Sequence, residues 1–571
     1  MLQLKAFKPF LSILLIFVAA GFASVQITIG SVVNAGSRLP STSPFYGIAQ
    51  GALFAITGKG LGPDRLQQAS FPLPTTDGLA GVTVQAAVAG ATVDCIMVYV
   101  SAAEVGAILP SSTPLGTGSV TVNNNGATAS KPITVVASAF GIFRHKSSDL
   151  AGQAIAFNVS ADDGTTSLNS TALSAQPGQD VLINGTGLGA ISSDETQSGV
   201  TDVPAVTIQV WVGITPAVVV SAGRGSCCDG LDPDFPVPEG IAAWDVIRIT
   251  IPDGLAGCYM PLAVQIGNNV SNLATISIDP SGGACNLQLS QLPSVQAVDG
   301  KPLPSVGTIG LGRSIGMSAR PTGAIAATRT DTGNASFLKF TSLPPGDVLA
   351  VDVVYPTNVC SIDGFPGPDG MNTRNGAPVT IIPTTSVNLD AGPAITIKGP
   401  AGTRTISRTI VGGHAIYMAP QFGNGTAGDY FDPGHYTATG TGGPDVGPIN
   451  TAVDVLTTPF VWTNMPDPTK PIDRTKDLTV TWTGGYPDTQ VTIEGGSLAN
   501  GVNVSFLCAA PVSAGRMTVP AYVLENLPPT GSAGQGQLTM LNRIVTTFTA
   551  TGLDLASIHY AVTYTVNLKY Q

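Results

Sequence analysis

Ala52-Leu-Phe-Ala-Ile-Thr-Gly-Lys-Gly-Leu-Gly62 comes back further along the chain as Val181-Leu-Ile-Asn-Gly-Thr-Gly-Leu-Gly189. In each copy an apolar run of strand length meets a turn spelled Gly-x-Gly-Leu-Gly. A repeat at this spacing means tandem modules, and the residues around it make those modules β. Val206, Ile208, Val210 and Val212 alternate with Thr207, Gln209 and Trp211, as Ile247, Ile249 and Ile251 do with Arg248 and Thr250. Leu478, Val480 and Trp482 repeat the pattern, and so does the closing run Val562, Tyr564, Val566, Leu568 and Tyr570. Period-two alternation of β-branched and aromatic residues marks strands that bury one face, which places Trp482 in a core. Asn125-Gly126, Asp163-Gly164, Asp253-Gly254 and Gly484-Gly485 supply turns at short spacing. Many short strands punctuated this way predict an all-β chain of tandem β-sandwich modules.

A chain of 571 residues holds several such modules. Hydrophobic residues make up 43% of it, enough for several cores, while charged residues are only 11%. The formal net charge is −11, and nothing resembles a basic stripe, so nucleic acid is excluded as a partner. Residues 1–23 read as a cleaved signal peptide: Lys5 and Lys8, the apolar run Pro9 to Ala20, then Gly21-Phe22-Ala23. No later segment has the length and apolarity of a membrane span, so the mature chain is expected to lack one and to be secreted or held at the cell surface. Module boundaries fall where closing strands meet polar or Pro-rich linkers, giving 24–137, 138–285, 286–457 and 458–571.

Seven cysteines fit an oxidising compartment. Cys227, Cys228, Cys258 and Cys285 crowd the second module. Bonding the neighbours 227 and 228 needs a strained ring, which leaves two pairings, each clipping the Cys227-Cys228 loop to Cys258 and to Cys285. Cys95, inside an apolar strand, is the expected buried free thiol; Cys360 and Cys508 are isolated in sequence.

Further motifs group around the repeat. Val32-Val-Asn-Ala-Gly36, Leu73-Pro74, Tyr99-Val-Ser101 and Gly141-Ile-Phe143 flank the first copy. Gly223-Arg-Gly-Ser-Cys-Cys228, Gly257-Cys-Tyr-Met-Pro261 and Val270-Ser-Asn272 follow the second. Over residues 25 to 285 the chain resembles the repeat family abundant in acidobacterial secreted proteins, whose modules are similar to IPT/TIG domains. The resemblance implies an extracellular immunoglobulin-like fold and carries over no catalytic residue. The loop from Asp229 to Trp244 is longer than that pattern predicts.

Four constellations bear on chemistry. Gly312-Arg-Ser-Ile-Gly316 matches the nucleophile-elbow spelling, but an elbow needs a strand-turn-helix in an α/β sheet, so Ser314 reads as part of a Gly-rich turn before a strand. The Gly-x-Gly-Leu-Gly loops lack the following helix that a phosphate cradle requires and read as turns. The acidic triplet Asp229, Asp232 and Asp234 is the leading calcium candidate, with Asp363 and Asp369, and Asp429 and Asp432, behind it; no other cofactor is expected. Tyr430, Phe431 and Tyr436, near Tyr417, are aromatics that could stack on a sugar, as could Trp462 in the last module, although Tyr430 to Tyr436 reads first as a loop entering a strand. The function expected is therefore non-enzymatic binding or scaffolding with a protein or glycan at the cell surface. A carbohydrate-binding protein using the aromatic cluster is the alternative, and a hydrolase built on Ser314 the weakest.

Overall fold

The computed structural model describes residues 27–571 except 146–151, 225–236, 286–293, 297–301, 321, 343–347, 351–354, 356, 364–372, 375–376, 379–384, 419–420, 426–427, 500 and 532–533. The expected signal peptide, Cys227, Cys228, Asp229, Asp232, Asp234 and Asp369 lie outside the described residues. The chain is all-β, as expected, and five-residue Ala521–Glu525 is the sole α-helix among the described residues.

In the first module two five-stranded sheets face each other. Val82–Val88 shows how the sequence builds them: Val82, Val84, Ala86 and Val88 are buried while Thr83, Gln85 and Ala87 point away. Phe54, Ile56 and Met97 of one sheet meet Val84, Val120 and Val122 of the other in a shared core. Burying each such side chain contributes about 1.5–3 kcal/mol. The second module is a ten-stranded array in which one strand, Thr215–Arg224, serves two sheets. Its start pairs with Ile208–Val212, and beyond Val218 it pairs with Asp245–Thr250 across a register shift between Val219 and Ser221. A bulge bends and twists a strand, which carries it from one layer to the next.

Both copies of the repeat do the same job. Leu53–Lys59 and Asp180–Thr186 are core strands, and each ends in a turn whose leucine, Leu61 or Leu188, is fully buried in its own module's core. Gly60 and Gly187 take positive φ (66° and 109°), the conformation glycine adopts without a Cβ penalty.

The first two modules interlock. The Asn34 side chain donates to the carbonyls of Ala139 and Thr186, both at 3.1 Å, while its Oδ1 accepts from the N–H groups of Gly36 and Ser37. The Leu53 N–H donates to Thr186 Oγ1 at 2.8 Å. Backbones approach so closely that a Cβ on Gly141 would lie 2.1 Å from Asn34 Oδ1, and one on Gly36 would lie 2.2 Å from the Gly141 carbonyl. A second core runs across the junction, from Leu53, Ile96 and Val98 to Phe143, Phe157 and Trp244. Phe143 stacks on Trp244 at 4.2 Å. We predict that Gly141→Val separates the two modules while leaving each sandwich folded. Scattering should show a more extended, heterogeneous particle, and an unchanged curve would refute the interlock.

The remainder departs from the expected division at 457/458. Residues on both sides of that point share one sixteen-stranded sheet and one hydrophobic core. The long strand Ser305–Ala319 runs antiparallel to Ile325–Ser342 and parallel to the closing strand Leu555–Leu568, from Val306 opposite Leu555 to Ser318 opposite Asn567. The closing strand's alternation is as expected, with Val562, Tyr564, Val566 and Leu568 buried. Parallel pairing between segments this far apart leaves no local signal, so a boundary drawn from linkers alone misses it. The second module also joins this unit: Trp211 stacks on Tyr522 at 5.2 Å, the Tyr522 hydroxyl donates to the Gly213 carbonyl, and Val359 enters the second module's core.

The disulfides correct the expected pairing. Cys258 bonds Cys285, and Cys360 bonds Cys508, so neither Cys258 nor Cys285 is available to clip the Cys227-Cys228 loop. The reason is placement. Cys285 follows the strand Ala274–Ile278, which pairs directly with the Cys258 strand, Gly257–Ile266. Cys360 and Cys508, isolated in sequence, sit opposite each other in register. Cys95 is a buried free thiol, as expected, and burial pushes its pKa well above the usual range.

Candidate functional site

The second Gly-x-Gly-Leu-Gly loop does hold an anion, the chain's own. The N–H groups of Gly187 and Leu188 donate to Asp245 Oδ2 at 2.7 and 2.8 Å. Arg224 stands 3.3 Å from Asp245 Oδ1, and both side chains are only 1% exposed. Burial pushes the Asp245 carboxyl up from 3.8 to about 6, and the nearby Arg224 charge and the two N–H groups offset only part of that. Oδ1 itself makes no hydrogen bond among the described residues. Because the folded-state value is raised, Asp245 contributes stability that is complete below pH 3.8 and is lost as pH rises through about 6. A two-unit shift corresponds to about 3 kcal/mol. Asp245→Asn is expected to flatten the stability profile between pH 4 and 6 in chemical denaturation; an unaltered profile would refute the assignment.

The aromatic cluster is not a platform. Tyr430, Phe431 and Tyr436 are all 0% exposed and Tyr417 is 4% exposed. The Tyr430 hydroxyl donates to the carbonyls of Ile397 and Gly402, and that of Tyr436 to those of Tyr430 and Asp432. The rings of Tyr430, Phe431 and Tyr436 pack edge-on or tilted at 5.1 to 5.6 Å. This corrects the expected ligand-binding role: the strand Gly434–Gly440 runs between Ala394–Gly399 and Ile449–Val455, so Tyr436 points into the core. Of the acidic candidates, Asp429 is engaged by Arg329 at 2.6 Å and, among the described residues, no group of three acidic, Cys or His side chains is placed to hold a metal.

Ser314 is no nucleophile elbow and, contrary to expectation, no turn. It lies exposed in the middle of Ser305–Ala319, opposite Thr330 on one side and Thr563 on the other. His559 is opposite Gly310, four residues along the same strand, which is roughly 13 Å at strand rise.

What the same strands do build is a cleft of about 350 Å³. Register places Arg313 opposite Asp331 and Val562, and Ile315 opposite Arg329 and Tyr564. Arg313, Ile315, Arg329, Tyr560, Val562 and Tyr564 therefore form its floor, and the connection from Val455 to Val461 forms one wall, with Phe431 and Tyr486 behind. Arg313 holds Asp331 through two bonds of 2.8 Å, and Asp331 Oδ2 also accepts from the N–H groups of Tyr430 and Phe431. Burial raises the Asp331 pKa, but the Arg313 bonds and the two N–H groups outweigh it and leave the carboxyl below its ordinary value. The contrast with Asp245 lies in geometry: a bidentate fork against a single contact that makes no hydrogen bond. Burial pushes the Tyr560 phenol well up, so it is protonated at neutral pH and can donate.

Sequence reasoning passed over Arg313, Arg329, Asp331, Tyr560 and Tyr564 as a site. The signal was there in Arg329 and Asp331, charged residues two apart on a strand otherwise burying Gly333, Ala335 and Phe337.

No family model matches the chain, and no curated protein does. Among solved structures, domains 5-6 of the S-layer protein SbsC are similar at 13% identity, over 44% of this chain and 98% of that one, with a TM-score of 0.16. The I9-I11 tandem from titin is similar at 8% identity over 71% and 93%, with a TM-score of 0.11. The Bacteroides ovatus mixed-linkage glucan utilization locus SGBP-B, in complex with a mixed-linkage heptasaccharide, is similar at 12% identity over 83% and 86%, with a TM-score of 0.10. At such scores these likenesses carry no statement about this chain.

Proposed function

We propose that the chain is a secreted or surface-held bacterial scaffolding protein that works by binding, its first two modules belonging to the acidobacterial repeat family with IPT/TIG-like modules. The observation that carries this reading is the interlocking of the folded units. Asn34, Gly141 and the Phe143–Trp244 stack tie the first module to the second; Trp211, Tyr522 and Val359 tie the second to the third unit. Such junctions hold loops and sheet edges at fixed separations, which is what presentation to a partner requires. Two disulfides support an oxidising compartment, and no described helix is long and apolar enough to cross a membrane. The partner is a protein or glycan of the envelope. The test is cosedimentation of the purified chain with envelopes of the producing bacterium. Saturable retention, weakened by Gly141→Val, is expected; retention that never rises above background would overturn the reading.

A further inference from the structure

We propose that the cleft between Arg313, Arg329 and Tyr560 is a binding site for a small organic carboxylate carried on a six-membered ring. This stands apart from the scaffolding reading. A guanidinium carries five N–H donors. Arg313 spends Nε and Nη2 on Asp331, with Nη2 also 3.6 Å from Asp429 Oδ2, and Arg329 meets Asp429 through Nη2. The remaining donors of both arginines have no partner among the described residues, yet both side chains line the cleft. The two carboxylates that hold them, Asp331 and Asp429, are not on the lining; among lining residues only Asp432 is acidic.

The pair is therefore fixed from behind and open in front. That is the arrangement in which a planar anion is received by preset forks. Asp331 and Asp429 balance the two arginines and Asp432 adds a negative charge to the lining, so recognition rests on directed N–H donors rather than net charge, which favours a singly charged carboxylate over a phosphate dianion.

The rest of the cleft describes the body of the ligand. Ile315, Val562 and Tyr564 offer an apolar surface, and the Tyr564 hydroxyl is already committed to the Phe460 carbonyl. The Tyr560 hydroxyl makes no hydrogen bond among the described residues and remains a donor for the ligand. A volume of about 350 Å³ lies at the small end of the range for ligand sites, room for one ring or two. A sugar acid and an aromatic acid share this chemistry.

Calorimetry with galacturonate, benzoate and their neutral counterparts galactose and benzyl alcohol tests the assignment, with inorganic phosphate as a further arm. One acid should bind saturably and at least tenfold more tightly than its neutral counterpart and than phosphate; which acid binds decides between the two sources. Arg329→Gln, at a side chain 43% exposed, should weaken that binding at least tenfold with no change in Tm. Thr458→Trp, at an exposed lining position, should abolish it by filling the cleft. Equal affinity for acid and neutral probe, no saturable binding of either acid, or undiminished binding by either variant would overturn the proposal.

Discussion

Replacing Cys360 and Cys508 together by alanine is expected to lower stability by as much as about 5 kcal/mol, the chain-entropy value for a loop of this length. The bond closes 148 residues, and the segment it encloses includes the hairpins around Tyr417 and Tyr436 and the connection that walls the cleft. It also fastens the strand Val359–Asp363 to Val502–Pro511 near one edge of the sixteen-stranded sheet. Removing the 27-residue Cys258–Cys285 bond should cost less, about 3.5 kcal/mol by the same relation. In calorimetry the first variant's third unit should melt roughly 10 °C lower. A fall of under 2 °C would show that the paired strands hold without the bond.

Asp331→Ala carries the second large effect, a loss of about 3–5 kcal/mol, because it leaves Arg313 without its fork partner in a site where the arginine side chain is only 12% exposed. It also orphans the N–H groups of Tyr430 and Phe431, so the buried aromatic cluster should loosen. Denaturant titration reads the loss, and near-ultraviolet circular dichroism reads the tyrosine packing. The pH sign is opposite to that of Asp245. With its folded-state value depressed, Asp331 contributes stability present above the ordinary carboxyl value of 3.8 and lost as pH falls through the lower folded value. Stability in Asp331→Ala equal to that of the parent chain would show the fork to be dispensable.

Strand-level structure was legible because each strand reports its own burial. The alternation in Ile247–Ile251 and in the closing run named buried faces that the structure confirms, and in Val206–Val212 it holds at Val210 and Val212 while Val206 and Ile208 are only partly buried; the repeat located two equivalent turns, each with a buried leucine. Pairing between distant strands was not legible. Nothing in Ser305–Ala319 announces Leu555–Leu568 as its parallel neighbour, and so the third and fourth modules merged into one unit. The same gap hid the disulfides: Cys360 and Cys508 look isolated until register sets them opposite each other. The aromatic cluster misled for a different reason. Tyr430-Phe-Asp-Pro-Gly-His-Tyr436 is Gly- and Asp-rich as an exposed loop would be, yet its tyrosine hydroxyls find backbone carbonyls inside the core, which removes the cost of burying them. The cleft arises where strands from residues 305–342 and 555–568 meet the 455–461 connection, so its residues became a site only once those segments were brought together.

The proposed scaffolding role requires rigid junctions between the folded units, and small-angle X-ray scattering of the purified chain tests that most directly. A single arrangement that reproduces the whole scattering curve, with Gly141→Val requiring a spread of orientations, is the predicted result. A parent chain that itself requires an ensemble of independently oriented units would contradict it.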